Sequence, residues 1–261
     1  MAITQIKVFG ERNTGTNWLE DLLIKNYSIP VIHHREIIKK QTTANEKAFI
    51  ESLPQEQQVF MRERISDSIF EYKASHLFGW KHAAIVPEKL EKHPHFEETG
   101  FIFLVKNPYT FLKSLHKRPY HSLIQLPKNI DKFIDMPWPT LSRDNISHAL
   151  LNNPIELWNY KVASYLNFLE SHSNAILLRY ESLLENYELL FDVIEDKFLL
   201  KSGSRSPILK STKYDRMNTN DYQNKYLHND SKDGLSSSSI ELIRSSLDER
   251  LMRSCQYESY T

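Results

Sequence analysis

The residues best suited to chemistry lie in a polar loop near the start of the chain, from Glu11 to Asn17. An apolar, β-forming stretch that ends at Gly10 precedes this loop, and apolar residues at helical spacing follow it from Trp18. Such a turn between a strand and a helix directs main-chain N–H groups and the positive end of the helix toward one point. The loop is therefore predicted to bind a phosphate group, although an ordinary turn bounded by glycines would have the same pattern.

The two glycines and the residues after them indicate which kind of nucleotide the loop could bind. Gly10 and Gly15 match the first part of a Walker A loop, G-x-x-x-x-G-K-[ST]. Thr16 stands where that motif has its lysine, and Asn17 stands where it has the hydroxyl that binds magnesium. Because both groups are missing, the loop is poorly suited to a metal-complexed triphosphate. A nucleotide that carries a 5′-phosphate end and needs no metal fits better.

Two further polar pairs follow stretches that are predicted to be strands. Lys81-His82 follows Leu77–Trp80, and Lys106-Asn107 follows the apolar run Phe101–Val105, after which Pro108 opens a helix. The carboxyl ends of parallel strands lie at one edge of a sheet, so these pairs are expected to converge with the first loop.

The third segment is also locally basic. No acidic residue occurs from Thr99 to Ile130, whereas Lys106, Lys113 and Lys117 lie within it. In a chain without net charge, this produces a positive field suited to an anionic ligand. Lys113 and Lys117 are four residues apart on one helix and are better explained as a solvated surface, whereas Lys106 is predicted to contact a ligand.

Strands and helices alternate along the chain, which predicts an α/β fold with a parallel sheet, helices on both of its faces, and a single domain over residues 1–261. A segment at 119–140 is predicted to be an excursion on the acceptor side, and 201–235 a polar loop. The predicted strands are Ile6–Phe9, Pro30–His34, Leu77–Trp80, Phe101–Val105 and Ala175–Tyr180. The predicted helices cover about 15–26, 55–74, 108–117, 154–171, 181–198 and 236–253.

Composition excludes several classes of protein. The chain has 261 residues, of which 40% are hydrophobic, enough for a substantial core. Zero net charge disfavours a dedicated nucleic-acid binder, and a single cysteine excludes an internal disulfide and a cysteine cluster for zinc. No stretch of about 18 apolar residues is present, so we expect no membrane span. These observations favour a cytoplasmic protein.

Taken together, these segments resemble the sulfotransferases that use 3′-phosphoadenosine 5′-phosphosulfate (PAPS). The K-S-G-T-T-W loop of that family corresponds here to the segment from Asn13 to Trp18. The family's Arg-Asn-Pro turn, with a serine eight residues after its arginine, corresponds to Lys106-Asn107-Pro108 and Ser114. Arg179–Leu183 is similar to the family's R-Y-E-D-L segment, and the GERNTGTN loop is similar to that of a microbial subgroup.

The resemblance implies a three-layer, P-loop NTPase-like sulfotransferase fold and transfer of a sulfuryl group from PAPS to an acceptor hydroxyl, with PAP as product and no metal. It also implies a set of cofactor-binding residues. These are Arg12, Asn13, Thr14, Gly15, Thr16, Asn17, Trp18, Lys106 and Ser114.

The departures from the family motif determine the catalytic assignment. Asn13 replaces the loop lysine that stabilises the leaving phosphate, so Arg12 is predicted to supply the charge, with Lys81 as a second cation. His82 is predicted to be the general base, because a neutral imidazole suits proton removal at pH 7. His34 and Glu36 are the alternative bases. The family's C-terminal R-K-G element has no clear counterpart; Lys201–Lys213 is basic but differently spaced.

The acceptor is less defined. Arg118–His121 and Met136–Trp138 could line a pocket for a glycan or another polyhydroxy molecule, and core packing explains the same aromatic residues equally well. A small-molecule acceptor fits the sequence too. Two other functions remain open: a P-loop nucleotide kinase or NTPase, and a non-catalytic nucleotide-binding protein with the same fold.

Overall fold

The computed structural model describes residues 2–33, 43–73, 75–208, 218–228 and 230–257. Its central feature is a sheet of four parallel strands in the order β2-β1-β3-β6, and a separate antiparallel pair joins β4 to β5. The strands in chain order are β1 Gln5–Gly10, β2 Val31–Ile32, β3 Thr99–Val105, β4 Trp138–Pro139, β5 Leu150–Leu151 and β6 Ala175–Arg179.

Helices connect the strands and cover the sheet. The α-helices in chain order are α1 Thr16–Asn26, α2 Ala44–Ser52, α3 Gln55–Ser68, α4 Pro87–Glu91, α5 Pro108–Lys117, α6 Ile130–Ile134, α7 Pro154–Ser171, α8 Tyr180–Glu185, α9 Glu188–Phe198, α10 Thr219–Gln223, α11 Ser237–Ser246 and α12 Glu249–Ser254. Short π-helical or 3₁₀ turns occupy Ile69–Lys73, Ser75–Leu77, Ser142–Asp144 and Asn224–His228.

Alternate residues of the central strands pack on opposite faces of the sheet, as the two-residue period of a strand requires. On one face, Ile102 and Leu104 of β3 pack with α1 and α9. On the other face, Phe101 and Phe103 pack with α5 and α7. The sheet therefore has helices on both faces, and the predicted α/β class with a parallel sheet is confirmed.

Local chemistry explains where the two helices beside the site begin. The side chain of Asn107 accepts hydrogen bonds from the N–H groups of Tyr109 and Thr110, and Pro108 occupies the first helical position of α5. Asn153 and Pro154 start α7 in the same way. Both helices thus begin where the sequence predicts.

Several boundaries differ from the prediction. The stretch Leu77–Trp80 is not a strand, because Phe78 and Gly79 have left-handed φ angles of 60° and 70° that no pleated strand can adopt. The predicted helix at 181–198 is two helices, and so is the predicted helix at 236–253, where Asp248 caps the second one. The predicted loop 201–235 contains α10.

The acceptor-side excursion contains α6 and β4. In the second predicted strand only Val31–Ile32 is extended, and His34 lies outside the described residues. Across the ranges described above, no helix has both the length and the apolar character needed to cross a membrane.

Candidate active site

The loop after β1 is shaped by two glycines that tolerate no side chain. A Cβ atom on Gly10 would lie 2.6 Å from the main-chain oxygen of Leu104 in the neighbouring strand. Gly15 has a φ of 92°, and a Cβ there would lie 2.5 Å from the ring of Tyr180. The first glycine therefore lets the loop leave the sheet beside β3, and the second lets it enter α1.

The main chain of the loop forms a concave surface that ends in the first turn of α1. Asn13 and Gly15 both have positive φ, and the N–H and hydroxyl of Thr14 donate to the oxygen of Glu11 at 3.2 and 2.5 Å. No side chain caps the start of α1 at Gly15. The first-turn N–H groups lie at the positive end of this 11-residue helix, where an anion is favoured.

Lys81-His82 lies beside this loop, although no strand precedes the pair. The N–H of Gly10 donates to the oxygen of Lys81 at 2.9 Å, and Nδ1 of His82 lies 2.5 Å from the oxygen of Gly10. The ammonium of Lys81 is buried and donates to Asn17 at 2.6 Å and to Glu20 at 2.7 Å. The prediction that a strand positions this pair is therefore wrong; hydrogen bonds to β1 and α1 position it.

These contacts determine the state of the His82 imidazole. Because the Gly10 oxygen can only accept a hydrogen bond, Nδ1 carries the proton and Nε2 keeps its lone pair. Burial lowers the pKa of His82 well below its ordinary value, and the cations Lys81 and Arg12 lower it further. The ring is therefore neutral at pH 7, with its acceptor nitrogen opposite the anchored one.

Arg12 is half-buried, and no hydrogen bond or ion pair holds its side chain within the ranges that the structure describes. Glu11, the acid next to it, instead accepts a hydrogen bond from Lys161. Burial lowers the pKa of Arg12, while the negative charge of Glu11 acts in the opposite direction. The guanidinium is a charged donor close enough to His82 for its charge to act on the imidazole.

Lys106 and Ser114 come together as the sequence motif requires. The ammonium of Lys106 donates to the Ser114 hydroxyl at 3.1 Å and lies 3.4 Å from the main-chain oxygen of Asn13. The indole N–H of Trp158 donates to the oxygen of Lys106 at 3.0 Å and so fixes the end of β3. Gly10 pairs with Leu104 across the sheet, so the two polar regions lie at neighbouring strand ends.

Two tyrosines cover the Lys106 side chain. Its Nζ lies 5.1 Å from the ring centre of Tyr180 and 3.9 Å from that of Tyr226. Tyr226 comes from the segment 218–228, which is anchored by a hydrogen bond of 2.7 Å from Gln223 to Leu184. Lys106 is 1% exposed, so this segment encloses the strand-end cation.

Other predicted cofactor residues contribute structure to the loop. The amide of Asn13 donates to the oxygen of Arg118 at 3.1 Å, at the end of α5. Thr16 is buried, and its methyl carbon lies 2.9 Å from the position that a Cβ on Gly10 would take. The indole of Trp18 donates to the oxygen of Ile208 at 3.2 Å. These side chains thus connect the loop after β1 and the helix α1 to the segments packed against them.

The aromatic residues that were candidates for an acceptor pocket belong to the core. Trp138 is fully buried, and the hydroxyl of Tyr120 donates to Asp144 at 2.8 Å. His121 is buried too, against the ring of Trp138. A different cavity of about 310 Å³ lies behind the segment that carries His82. Its walls are mainly apolar and include Phe9, Phe70, Phe78, Trp80, Ile85 and Arg143.

Sequence reasoning missed several residues of the site. Glu20 and Lys161 pair with charged groups of the two loops, and Tyr226 covers Lys106. A charged residue within the apolar pattern of a helix was the available indication for Glu20 and Lys161. Nothing local indicated Tyr226, because its contact spans 120 residues.

The alternative bases His34 and Glu36 lie outside the described residues, as does the basic segment after Ile208. Within the described ranges, no group of histidine, cysteine, aspartate and glutamate side chains could hold a metal ion.

A scan against models of protein families and a search of curated proteins find no match. A search of solved structures finds three instructive similarities, each at low identity. The sulfotransferase domain of the curacin biosynthetic pathway is 13% identical with a TM-score of 0.41, over 99% of both chains. The sulfotransferase domain of the Synechococcus PCC 7002 olefin synthase is 14% identical with a TM-score of 0.44, over 95% of both chains. Retinol dehydratase in complex with androsterone and the inactive cofactor PAP is 15% identical with a TM-score of 0.41, over 98% of this chain and 79% of that one.

Proposed function

We propose that this protein is a sulfotransferase that moves a sulfuryl group from PAPS to an acceptor hydroxyl. One observation carries the proposal: an uncapped helix start, a lysine–serine pair and an anchored neutral histidine meet at neighbouring strand ends. The first two suit the two phosphate positions of PAPS, and the third suits removal of a proton.

The residues fit PAPS without a metal. Gly10 and Gly15 let the loop pass close to Leu104 and to the ring of Tyr180, where a Cβ would clash, so its main-chain N–H groups can be presented to a phosphate at the start of α1. The first-turn N–H groups of α1 then bind the 5′ end, and Lys106 with Ser114 binds the 3′-phosphate. When bound, PAPS supplies the sulfuryl group, and PAP remains after transfer.

Each residue then has a distinct part in the transfer. Negative charge grows on the departing phosphate oxygen, and the N–H groups at the start of α1 together with Arg12 stabilise it. Lys81 is held at the same helix start by Asn17 and Glu20, and adds positive charge there. His82 accepts the proton of the acceptor hydroxyl at Nε2, while its bond to Gly10 holds the ring in place.

A small-molecule acceptor with an apolar body is favoured over a glycan. The cavity beside Trp80 has the rings of Phe9, Phe70 and Phe78 in its walls, which suit a ring system, and polar residues such as Ser142, Arg143 and Asn145, which suit a hydroxyl group. We therefore expect labelled PAPS to modify hydroxylated aromatic compounds in preference to hexoses. Filling the cavity with Ala83→Leu should raise the KM for such an acceptor and leave PAP affinity unchanged. The cytoplasmic location that the sequence favours is part of this proposal.

The deciding experiment compares thermal stabilisation by PAP, by ATP with Mg²⁺, and by neither. A ligand at a hundredfold excess over its Kd stabilises the folded state by about 2.7 kcal/mol, so binding of PAP should be plain. A nucleotide kinase or NTPase would be stabilised at least as strongly by ATP with Mg²⁺. A non-catalytic nucleotide-binding protein would bind PAP and leave labelled PAPS intact with every acceptor offered.

A further inference from the structure

Lys161 of α7 joins three segments of the site through one buried ammonium. The residue is 0% exposed, and its Nζ donates to the Glu11 carboxylate, to the main-chain oxygen of His82 at 2.7 Å and to Asp144 at 2.7 Å. An ammonium has three N–H donors, and all three are used here. One contact reaches the phosphate-binding loop, and another reaches the residue that carries the proposed base.

The surroundings make this ammonium difficult to replace. The rings of Trp80 and Tyr120 lie 5.2 and 5.3 Å from Nζ, and water is excluded. The other oxygen of Asp144 accepts bonds from the Tyr120 hydroxyl and the Leu141 N–H, both at 2.8 Å. Although burial lowers the pKa of Lys161, the carboxylates of Asp144 and Glu11 raise it, so the side chain stays charged.

We propose that Lys161 is a positioning residue for sulfuryl transfer, holding the phosphate-binding loop and the peptide of His82 at one fixed separation. This role rests on the function proposed above. Two direct bonds already join Gly10 to the Lys81-His82 segment, and the ammonium adds a third link between Glu11 and the main-chain oxygen of His82. Together the three links fix the imidazole relative to the helix start that receives the donor phosphate.

The alternative is an ionic cluster that contributes only to stability. A neighbouring cluster of that kind provides the comparison: Arg143 pairs with Asp67 at 2.7 Å and with Glu63 at 2.5 Å, both on α3. Breaking either cluster leaves a buried charge without its partner and lowers the melting temperature. Only the Lys161 cluster should also affect the imidazole.

The charges around His82 predict the direction of that effect. Lys81, Arg12 and Lys161 are the cations that face it, and the carboxylates of Glu11 and Asp144 lie beyond Lys161. Replacing Lys161 by a neutral residue removes a positive charge and exposes two negative ones, so the pKa of His82 should rise. NMR titration of the imidazole measures this directly, without any acceptor.

The experiment compares the parent protein, Lys161→Met, the double variant Lys161→Met with Glu11→Gln, and the control Asp67→Asn. The double variant removes one of the stranded charges and should recover much of the melting temperature. Turnover of labelled PAPS with water as acceptor should nevertheless fall about 10²-fold in both Lys161 variants, since a displacement of about 1 Å can have such an effect. The control should lose stability and keep the parental imidazole pKa.

Two results would overturn the proposal separately. If the double variant matches the parent in turnover and in the pKa of His82, Lys161 has no positioning role. If the parent itself is neither stabilised by PAP nor able to turn over PAPS, the proposed function is wrong. The positioning role of Lys161 is then wrong as well. The PAP measurement on the parent therefore distinguishes the two failures.

Discussion

The two polar regions of the candidate site are built in different ways. The loop after β1 and the Lys81-His82 segment are held by main-chain hydrogen bonds and by buried ion pairs to Glu20 and Lys161. The region around Lys106 is built from side chains, with a hydroxyl on one side and the ring of Tyr226 on the other. The first is fixed by the core of the domain, and the second is completed by a distant segment.

This difference predicts that one region acts on the chemical step and the other on binding of the nucleotide. Fixed donors accelerate a reaction because they need no reorganisation as charge develops. Contacts that are the same before and during the reaction strengthen binding and leave the chemical step unchanged. We therefore expect changes in the first region to lower kcat and changes in the second to lower affinity for PAP.

The largest effect is expected from His82→Ala. Loss of a general base should lower kcat by about 10² to 10⁴-fold, with PAP affinity by titration calorimetry close to the parental value. His172→Ala is a matched control, because Nδ1 of that residue is also anchored to a main-chain oxygen, that of Phe168 at 3.1 Å. If His82→Ala keeps the parental turnover, His82 is not the general base, and His34 and Glu36 are the remaining candidates.

Arg12→Ala should have the next largest effect. Removing one donor that stabilises transition-state charge lowers kcat by about 10²-fold. The melting temperature should change little, because neither a hydrogen bond nor an ion pair ties this side chain to the described residues. A variant whose rate falls only in step with its stability would instead show that Arg12 shapes the loop, and parental turnover would leave Lys81 as the cation.

Lys106→Ala tests the second region. Losing a hydrogen bond to a charged group should weaken PAP binding by about 1.5–3 kcal/mol, while kcat at saturating PAPS stays near parental. Ser114→Ala should weaken PAP binding less. Lys117 is an exposed lysine of the same helix, and Lys117→Ala should leave PAP binding unchanged. A Lys106→Ala variant that binds PAP like the parent would remove the 3′-phosphate assignment and with it the contrast between the regions.

The smallest expected change is in the pH dependence. With an ordinary pKa near 6.5, a catalytic imidazole would lose roughly half its active form at pH 6.5. Because burial and neighbouring cations lower the pKa of His82, kcat/KM should stay nearly constant from pH 7.5 to 6.5. The unfolded chain takes up this proton first as the pH falls, so folding should lose stability below pH 6.5. An acid limb near pH 6.5 would contradict the buried state of the ring.

The sequence was a reliable guide where local rules act alone. The apolar run of β3 and the Asn107-Pro108 start of α5 were both predicted, because burial on two faces and helix capping leave clear patterns. The resemblance to the sulfotransferase motif implied the pairing of Lys106 with Ser114, and the two side chains are hydrogen-bonded across that start. These features depend on neighbours in sequence.

Other features depend on contacts that no local pattern contains. The left-handed residues Phe78 and Gly79 turn an apolar stretch away from a strand, and the pair that follows is positioned by Gly10 instead. Trp138 and Tyr120 were equally good candidates for a pocket or a core, and only tertiary packing decides for the core. The buried partner of Glu11 lies 150 residues away.

The ring of Tyr226 has a consequence for the timing of nucleotide exchange. It lies 3.9 Å from the ammonium that is proposed to receive the 3′-phosphate, on a segment tied to α8 by the Gln223 bond. Entry of a nucleotide must exchange this cation–π contact for an ion pair, and departure must reverse the exchange. Association should therefore be slower than diffusion allows, since binding that requires displacement of a segment lowers the on-rate. A Tyr226→Ala variant would then exchange PAP faster in both directions.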